Sequence, residues 1–221
     1  MQIDVVASGS KGNCYLISHN GETLILDIGV PMKEIKKALN WDLLHVSGIC
    51  ITHSHSDHIY ALKDAEMTGL PIWKPYEEST EIQTQQFGNF TVSSFHLPHD
   101  GCPCVGYLVT IDRQSILYAT DFEYIKFRFD KRKIDAFLIE CNYQEEFMDM
   151  DRENYSHVLK GHCKDTTCFE FLKVNVTEHT KHIILCHLSS SNCDGSVVQK
   201  IAEEVTHKPV SIAEKGLHIE L

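Results

Sequence analysis

The chain has 221 residues, 43% hydrophobic and 23% charged, and 31 acidic against 20 basic residues give a formal net charge of −11. That length fits one large domain with a substantial core, and the acidic balance argues against a protein that coats nucleic acid electrostatically. A nuclease whose site carries divalent cations stays open, because bound metals invert the local potential.

No stretch approaches the roughly 18 uninterrupted apolar residues of a membrane span. The start, Met1-Gln2-Ile3-Asp4-Val5-Val6, lacks the charged opening and apolar centre of a signal peptide and reads as a first strand. The expectation is a cytoplasmic protein with no membrane partner. Nine cysteines, odd in number and irregularly spaced from Cys14 to Cys193, fit small buried hydrophobes in a reducing compartment. The pair Cys102-Pro103-Cys104 lacks a second pair nearby and is read as structural.

The chain opens with strands at Ile3–Ala7, Cys14–Ser18 and Thr23–Asp27, joined by the turn residues of Ser8–Asn13 and His19–Glu22. Tight turns between consecutive strands predict a sheet that begins antiparallel. Asp27 closes the third strand, where an acid serves either as a turn cap or as a partner for a metal-ligating histidine. Pro31–Asn40 is helical, with Ile35, Ala38 and Leu39 on one face.

The apolar run Val46–Ile51 then meets Thr52-His53-Ser54-His55-Ser56-Asp57-His58, followed by a helix from Ile59 through Met67 that stops at Gly69. Four imidazole or carboxylate groups within six residues, at the end of a strand, suit a borderline cation such as zinc. Further strands follow at Pro71–Trp73, Asn89–Phe95, Val105–Ile111 and Ser115–Ala119. A second histidine cluster, His96-Leu97-Pro98-His99-Asp100-Gly101, lies between two of them. His99 is favoured over His96 as a ligand because Asp100-Gly101 follows it as a turn.

A buried strand at Ile134–Ile139 ends in Glu140. Asp165 is placed as the N-cap of a helix presenting Cys168, Phe171 and Leu172 to the core. The strand His182–Cys186 ends in His187, and Gly195–His207 is a helix with Val198, Ile201, Ala202 and Val205 on one face. Strands at Val210–Ala213 and Leu217–Leu221 close the chain. Asp27, His53/His55, Asp121, Glu140 and His187 thus all stand at the ends of buried strands. Ligands at several strand ends are how a layered α/β scaffold assembles one site along a sheet edge. His45, His157, His179, His182, His207 and His218 are read as solvated or core residues.

The ordered set His53-x-His55-x-Asp57-His58, His99, Asp121 and His187 resembles the metallo-β-lactamase superfamily over essentially the whole chain. The resemblance implies one hydrolase domain over residues 1–221, α/β in class, folded as a four-layer αββα sandwich with two metal ions at one edge. It puts His53, His55 and His99 on one ion and Asp57, His58 and His187 on the other, with Asp121 bridging. An aspartate at 121, where several β-lactamases carry cysteine, suits phosphodiester chemistry.

Ser8–Cys14, Glu140-Cys141-Asn142-Tyr143 with Gly161-His162, and His187–Asn192 are similar to the YycJ/WalJ-type branch, exonuclease-like relatives of ribonuclease Z. That resemblance implies a dinuclear-metal nuclease, DNA ahead of RNA as substrate, with a metal-bridging hydroxide as nucleophile. His162, oriented by Glu140, would assist the leaving group, so that Asp57, Glu140 and His162 form the catalytic set. Zinc suits the histidine-rich ligation, and the carboxylates also admit manganese or iron. Cys163-Lys164-Asp165 depart from the Leu-Ser-Asn of the branch, and Asp165 is expected to preserve the helix cap.

The competing reading is a small-molecule hydrolase of the same fold, acting on a cyclic phosphodiester, thioester or lactone. The acidic balance favours it, whereas Asp121 with Glu140 and His162 favours the nuclease. A basic groove built from Lys11, Lys126, Arg128, Lys131, Arg132 and Lys164 would decide for nucleic acid.

Overall fold

A computed structural model describes residues 1–149, 151 and 155–221. The first half builds a six-stranded sheet. Strands β1 (Gln2–Ala7), β2 (Cys14–His19) and β3 (Glu22–Leu26) pair antiparallel, as their short turns predict. Helix α1 (Met32–Ala38) leads to β4 (Val46–Cys50), which pairs parallel with β3. Two short helices, α2 (Ser56–Ile59) and α3 (Leu62–Glu66), precede β5 (Ile72–Trp73).

The second half builds a seven-stranded sheet. Strands β6 (Ile82–Phe87), β7 (Phe90–Leu97), β8 (Cys104–Ile111) and β9 (Gln114–Ala119) run antiparallel. Strand β10 (Ala136–Glu140) then joins β9 in parallel. Helices α4 (Tyr155–Gly161) and α5 (Asp165–Asn175) lead to β11 (His182–Cys186), and α6 (Gly195–Thr206) leads to β12 (Val210–Ile212). The last strand, β13 (His218–Glu220), crosses back to pair with β1. The sheet orders are β13-β1-β2-β3-β4-β5 and β12-β11-β10-β9-β8-β7-β6.

Strand periodicity sets the layers. Side chains alternate between the two faces of a strand, so Ile116 and Tyr118 of β9 and Ala136 and Leu138 of β10 enter the core between the sheets. Their neighbours Leu117, Ala119, Phe137 and Ile139 face the other way, onto Cys168 and Leu172 of α5 and Val198 and Ala202 of α6. The first sheet turns Leu16, Ile25 and Ile49 outward onto Met32 and Ile35 of α1 and Ala65 of α3. Three apolar seams thus join four layers, an αββα sandwich.

Four local expectations needed correction. The single helix expected over 59–67 is broken in two, because the Ala61 N–H bonds to the Ile28 carbonyl at 3.0 Å and the first helical ladder stops there. The first piece starts at Ser56, ahead of the Ile59 expected, so Asp57 and His58 lie inside α2. Asp165 is the first residue of α5 and not its cap; the cap position is Lys164, and the Asp165 carboxylate accepts the Thr166 N–H at 2.6 Å. Strand β7 runs on to Leu97, so His96 belongs to the strand and only His99 lies in the loop. Helix α4, unforeseen from the sequence, packs against that loop: Asp100 N–H bonds to the Lys160 carbonyl at 3.0 Å.

Candidate metal centre

The site lies along one edge of the sandwich, where β3, β4, β9, β10 and β11 deliver Asp27, His53, Asp121, Glu140 and His187. Asp27, Asp121 and His187 each take a positive φ, of 58°, 55° and 51°. That left-handed conformation is uncommon outside glycine, and aspartate and histidine are among the residues that enter it most readily. Gly29 closes the loop after β3 because the Asp57 carbonyl oxygen would lie only 1.6 Å from any Cβ there. The Asn13 N–H donates to that carbonyl at 2.8 Å, tying the first turn of the chain to the histidine loop.

The seven residues expected as metal ligands converge. Ring or carboxylate atoms of His53, His55 and His99 lie within 4.8 Å of one another, and so do those of His53, His58 and Asp121. Asp121 Oδ2 stands 3.0 Å from His58 Nε2 and 3.2 Å from His187 Nδ1. Asp57 Oδ2 lies 3.6 Å from His58 Nε2 and 3.9 Å from His187 Nε2. His96 is not part of this group; its Nε2 meets the Thr80 carbonyl at 3.0 Å.

Four of the imidazoles are held in the same way, through Nδ1. Nδ1 of His53 meets Thr52 Oγ1 at 3.1 Å, and Nδ1 of His58 meets Asp27 Oδ2 at 2.9 Å. Nδ1 of His99 meets the Gly161 carbonyl at 2.6 Å, and Nδ1 of His187 meets Glu140 Oε1 at 2.9 Å. Partners of this kind fix the ring and its tautomer and leave Nε2 as the ligating atom. His55 instead presents Nδ1, 3.2 Å from His99 Nε2. Among the described residues, His53 Nε2 is buried without a hydrogen-bond partner. An orphaned buried nitrogen is costly unless something binds it, so this donor set fits divalent cations.

Two buried carboxylates stand behind the ligands. Asp27 accepts the Thr52 N–H at 2.8 Å and the Tyr118 hydroxyl at 2.6 Å, besides facing His58. Glu140 accepts the Phe122 and Cys163 N–H groups at 3.2 and 3.1 Å. Its Oε1 lies 2.8 Å from His162 Nδ1 as well as 2.9 Å from His187, so one acid holds both rings. Asn142 braces this corner by donating to the His187 carbonyl at 2.7 Å.

The protein's own charges divide the histidines into two kinds. Burial holds His53 well below the usual histidine range, with His58 adding to the effect, and burial also lowers His55 and His99. Burial disfavours the charged form of His58 too, but Asp27 and Asp121 outweigh it and raise this ring to about 10. His187 is likewise raised by Asp121 and Glu140 against its burial, and His162 by Glu140. Burial alone would raise Asp121, yet His187 and His58 hold it well below the usual carboxylate range.

A cavity of about 340 Å³ opens beside the cluster, with Asp57, Asp121, His162 and His187 in its wall. His157 of α4 also lines it, with its ring centre 5.6 Å from that of His162. No spacing signal marked His157, because the helix that carries it was not legible. The six basic residues considered for a groove do not line this cavity. Lys126, Arg128 and Lys164 are paired with Glu81, Asp130 and Glu145.

Comparison with known proteins agrees with this geometry. The family model for the metallo-beta-lactamase superfamily matches residues 7–66. Exodeoxyribonuclease YycJ of Bacillus anthracis is 30% identical, over 87% of this chain and 84% of the relative. Exodeoxyribonuclease WalJ of Streptococcus pneumoniae is 28% identical, over 85% and 81%. The crystal structure of the metallo-beta-lactamase fold protein YhfI from Bacillus subtilis superposes with a TM-score of 0.75 at 20% identity, covering 100% of this chain and 99% of that one. The chain belongs to the metallo-beta-lactamase superfamily, in its YycJ/WalJ-type branch, and is a metal-dependent hydrolase.

Proposed function

We propose that residues 1–221 form a dinuclear phosphodiesterase that acts on nucleic acid, DNA ahead of RNA, in an exonuclease-like manner. His53, His55 and His99 hold one divalent ion, Asp57, His58 and His187 hold the second, and Asp121 serves both. The observation that carries the reading is the position of Asp121, grouped with His53 and His58 on one side and with His187 and His162 on the other, in the wall of the same cavity as His162. The names of the YycJ and WalJ relatives support a nuclease over other hydrolases. Two ions held there would neutralise non-bridging phosphate oxygens and supply an activated water near neutral pH.

The protein's own groups do the rest. Glu140 fixes His162 through Nδ1 and favours its protonated form, so that Nε2 can deliver a proton to the leaving oxygen. Asp57 and Asp121 orient the reacting centre from the wall of the cavity. Glu140 itself is buried and acts by positioning His162 and His187. Zinc is the first candidate ion, with manganese and iron next.

The test is metal analysis of the purified protein joined to a panel assay. Bis-p-nitrophenyl phosphate, single- and double-stranded DNA, RNA and a thioester are offered with Zn²⁺ or Mn²⁺. The expected result is about two ions per chain and cleavage of the phosphodiesters, DNA best among the polymers. Thioester turnover without phosphodiester cleavage would overturn the reading.

The small-molecule alternative retains one supporting observation, the pairing of Lys126, Arg128 and Lys164 with acids. It predicts cyclic phosphodiester turnover that exceeds turnover of any polymer.

A further inference from the structure

On the phosphodiesterase reading the cavity beside the metal cluster takes the scissile phosphate, yet it has little with which to hold a polymer. Among the described residues lining it there is no lysine or arginine to meet a second phosphate, and no phenylalanine, tyrosine or tryptophan on which a base could stack. A chain of net charge −11 that grips a polynucleotide needs a basic surface elsewhere, continuous with this edge.

One face meets that need. Ser10 lines the cavity, and Lys11 beside it is exposed. The turn they belong to packs on the chain entering α1, for a Cβ on Gly12 would come within 2.7 Å of Val30 Cγ1. Lys33 and Lys36 follow on α1, three residues apart and so on one side of the helix. They line a groove of about 450 Å³ together with Trp41, Met67 and Asp64. Lys63 lies on α3, the other bank of the groove, three residues after the exposed Tyr60. Among the described residues Lys11, Lys33, Lys36 and Lys63 form no ion pair, whereas Lys126, Arg128, Lys164 and Lys215 are each tied to an acid. The exposed acids of α3 are Asp64 and Glu66, and the four free lysines outnumber them.

Trp41 is the sharper signal. It is 64% exposed, and its backbone takes a φ of 64°, a left-handed conformation that costs a bulky residue more than asparagine or glycine. Its N–H donates to the Lys36 carbonyl at 2.7 Å, which fixes it at the end of α1 beside that lysine. Neither burial nor backbone preference accounts for an indole there. A flat ring next to unpaired cations is what a single strand with unstacked bases requires.

We infer that the face between α1 and α3 binds the single-stranded nucleic acid trailing from the cavity, with Lys11, Lys33, Lys36 and Lys63 on its phosphates and Trp41 and Tyr60 on its bases. The inference rests on the phosphodiesterase reading above and adds to it the surface that makes a polymer the preferred substrate.

The test uses the metal-loaded full chain and two readouts. Binding is measured by fluorescence anisotropy with labelled phosphorothioate oligothymidylates, which keep their charges and resist cleavage: a dinucleotide and a strand of about twelve nucleotides. Cleavage is read as kcat/KM on ordinary strands of the same lengths. Each variant's value is divided by its own kcat/KM on bis-p-nitrophenyl phosphate, which cancels any loss of folded enzyme. The longer strand should bind about 10–100-fold tighter than the dinucleotide. Its log affinity should fall against log salt with a slope of about −3, four phosphates at about −0.7 each. Lys33→Ala with Lys36→Ala should lower the affinity for the longer strand by about 10-fold and flatten that slope by about 1.4. Trp41→Gly, which removes the ring and relieves the backbone, should lower the affinity by about 10-fold, and Trp41→Tyr should keep most of it. Lys131→Ala with Arg132→Ala, exposed cations before the end of β10 opposite Glu140, is the control and should change neither affinity nor slope.

Equal binding of the two lengths, or a loss no greater in the α1 and Trp41 variants than in the control, would overturn this inference. Cleavage of the ordinary strands would then leave the phosphodiesterase reading standing. Tighter binding of the longer strand without salt dependence would overturn the inference too, since the lysines would not be meeting phosphates. Binding that depends on these residues, with no cleavage of any phosphodiester, would keep the surface and remove the phosphodiesterase reading. The comparison of strand lengths and its salt slope need no variant, so a substitution that fails to fold does not remove the test.

Discussion

The two halves of the candidate metal centre are built differently. One takes His53 and His55 from the histidine loop and His99 from the turn after β7. Its rings are backed by neutral groups, the Thr52 hydroxyl and the Gly161 carbonyl. The other takes Asp57 and His58 from the same loop and His187 from the end of β11, with Asp27 and Glu140 behind His58 and His187. Neutral backing leaves imidazoles that carry no proton at Nε2, while carboxylate backing makes better ligands that also hold protons more tightly. On the proposed assignment the one loop would give two ligands to each ion, and the buried acids behind the second would tune the chemistry done there.

The largest effect should come from Asp121, the residue proposed to serve both halves. Asp121→Asn is expected to lower kcat on bis-p-nitrophenyl phosphate by about 10³-fold and to reduce the metal content measured by elemental analysis. Retention of both ions with wild-type turnover would show that Asp121 does not serve the two sites. His162→Ala comes next, with a loss of about 10²-fold in kcat on substrates with an alkoxide leaving group and much less with p-nitrophenolate. An equal loss on both would exclude proton donation by His162.

Glu140→Gln and Asp27→Asn compare the two backing acids directly. Each should weaken metal binding by about 10–100-fold in a chelator competition. Only Glu140→Gln should also lower the rate with poor leaving groups, because only Glu140 reaches His162. Asp27→Asn should add a stability loss of about 1–3 kcal/mol in urea denaturation, since it disturbs the buried contacts of Thr52, His58 and Tyr118. If the two variants behave alike in every assay, the contrast between the halves is wrong.

The smallest effect is a difference in pH dependence. His58 and His187 are raised by their acids, so below those values they bind protons that a metal must displace. His53, His55 and His99 are lowered and are already neutral at pH 7. Affinity of the Asp57/His58/His187 half should therefore rise with pH through the neutral range, while that of the other half stays flatter. Two binding steps with the same pH slope in calorimetry between pH 6 and about 8 would contradict this.

Much of the site was legible because ligands at strand ends leave a simple trace, an apolar run followed by one acid or histidine. Ile49-Cys50-Ile51 before His53 and Ile183–Cys186 before His187 carry that trace, and period-two burial let the strands be counted. What stayed hidden has long-range causes. The break between α2 and α3 depends on a carbonyl at Ile28, remote in sequence. His99 and not His96 joins the cluster, and the geometry behind that is the length of β7. His157 looked like any solvated histidine, since only the packing of α4 against the Asp100 loop brings it to the cavity. The double duty of Glu140 likewise cannot be read from one residue, because both of its partners come from later in the chain.

The left-handed backbone at Asp27, Asp121 and His187 bears on how this scaffold could change its metal. At those three positions the conformation and the coordination chemistry filter the same short list of residues, and a β-branched or bulky replacement would meet the backbone penalty before its ligand properties mattered. No such filter acts at His53, His55, Asp57, His58 or His99, none of which has a positive φ. On the proposed assignment, backbone conformation narrows the replacements open to the strand ends and places no such restriction on the histidine loop.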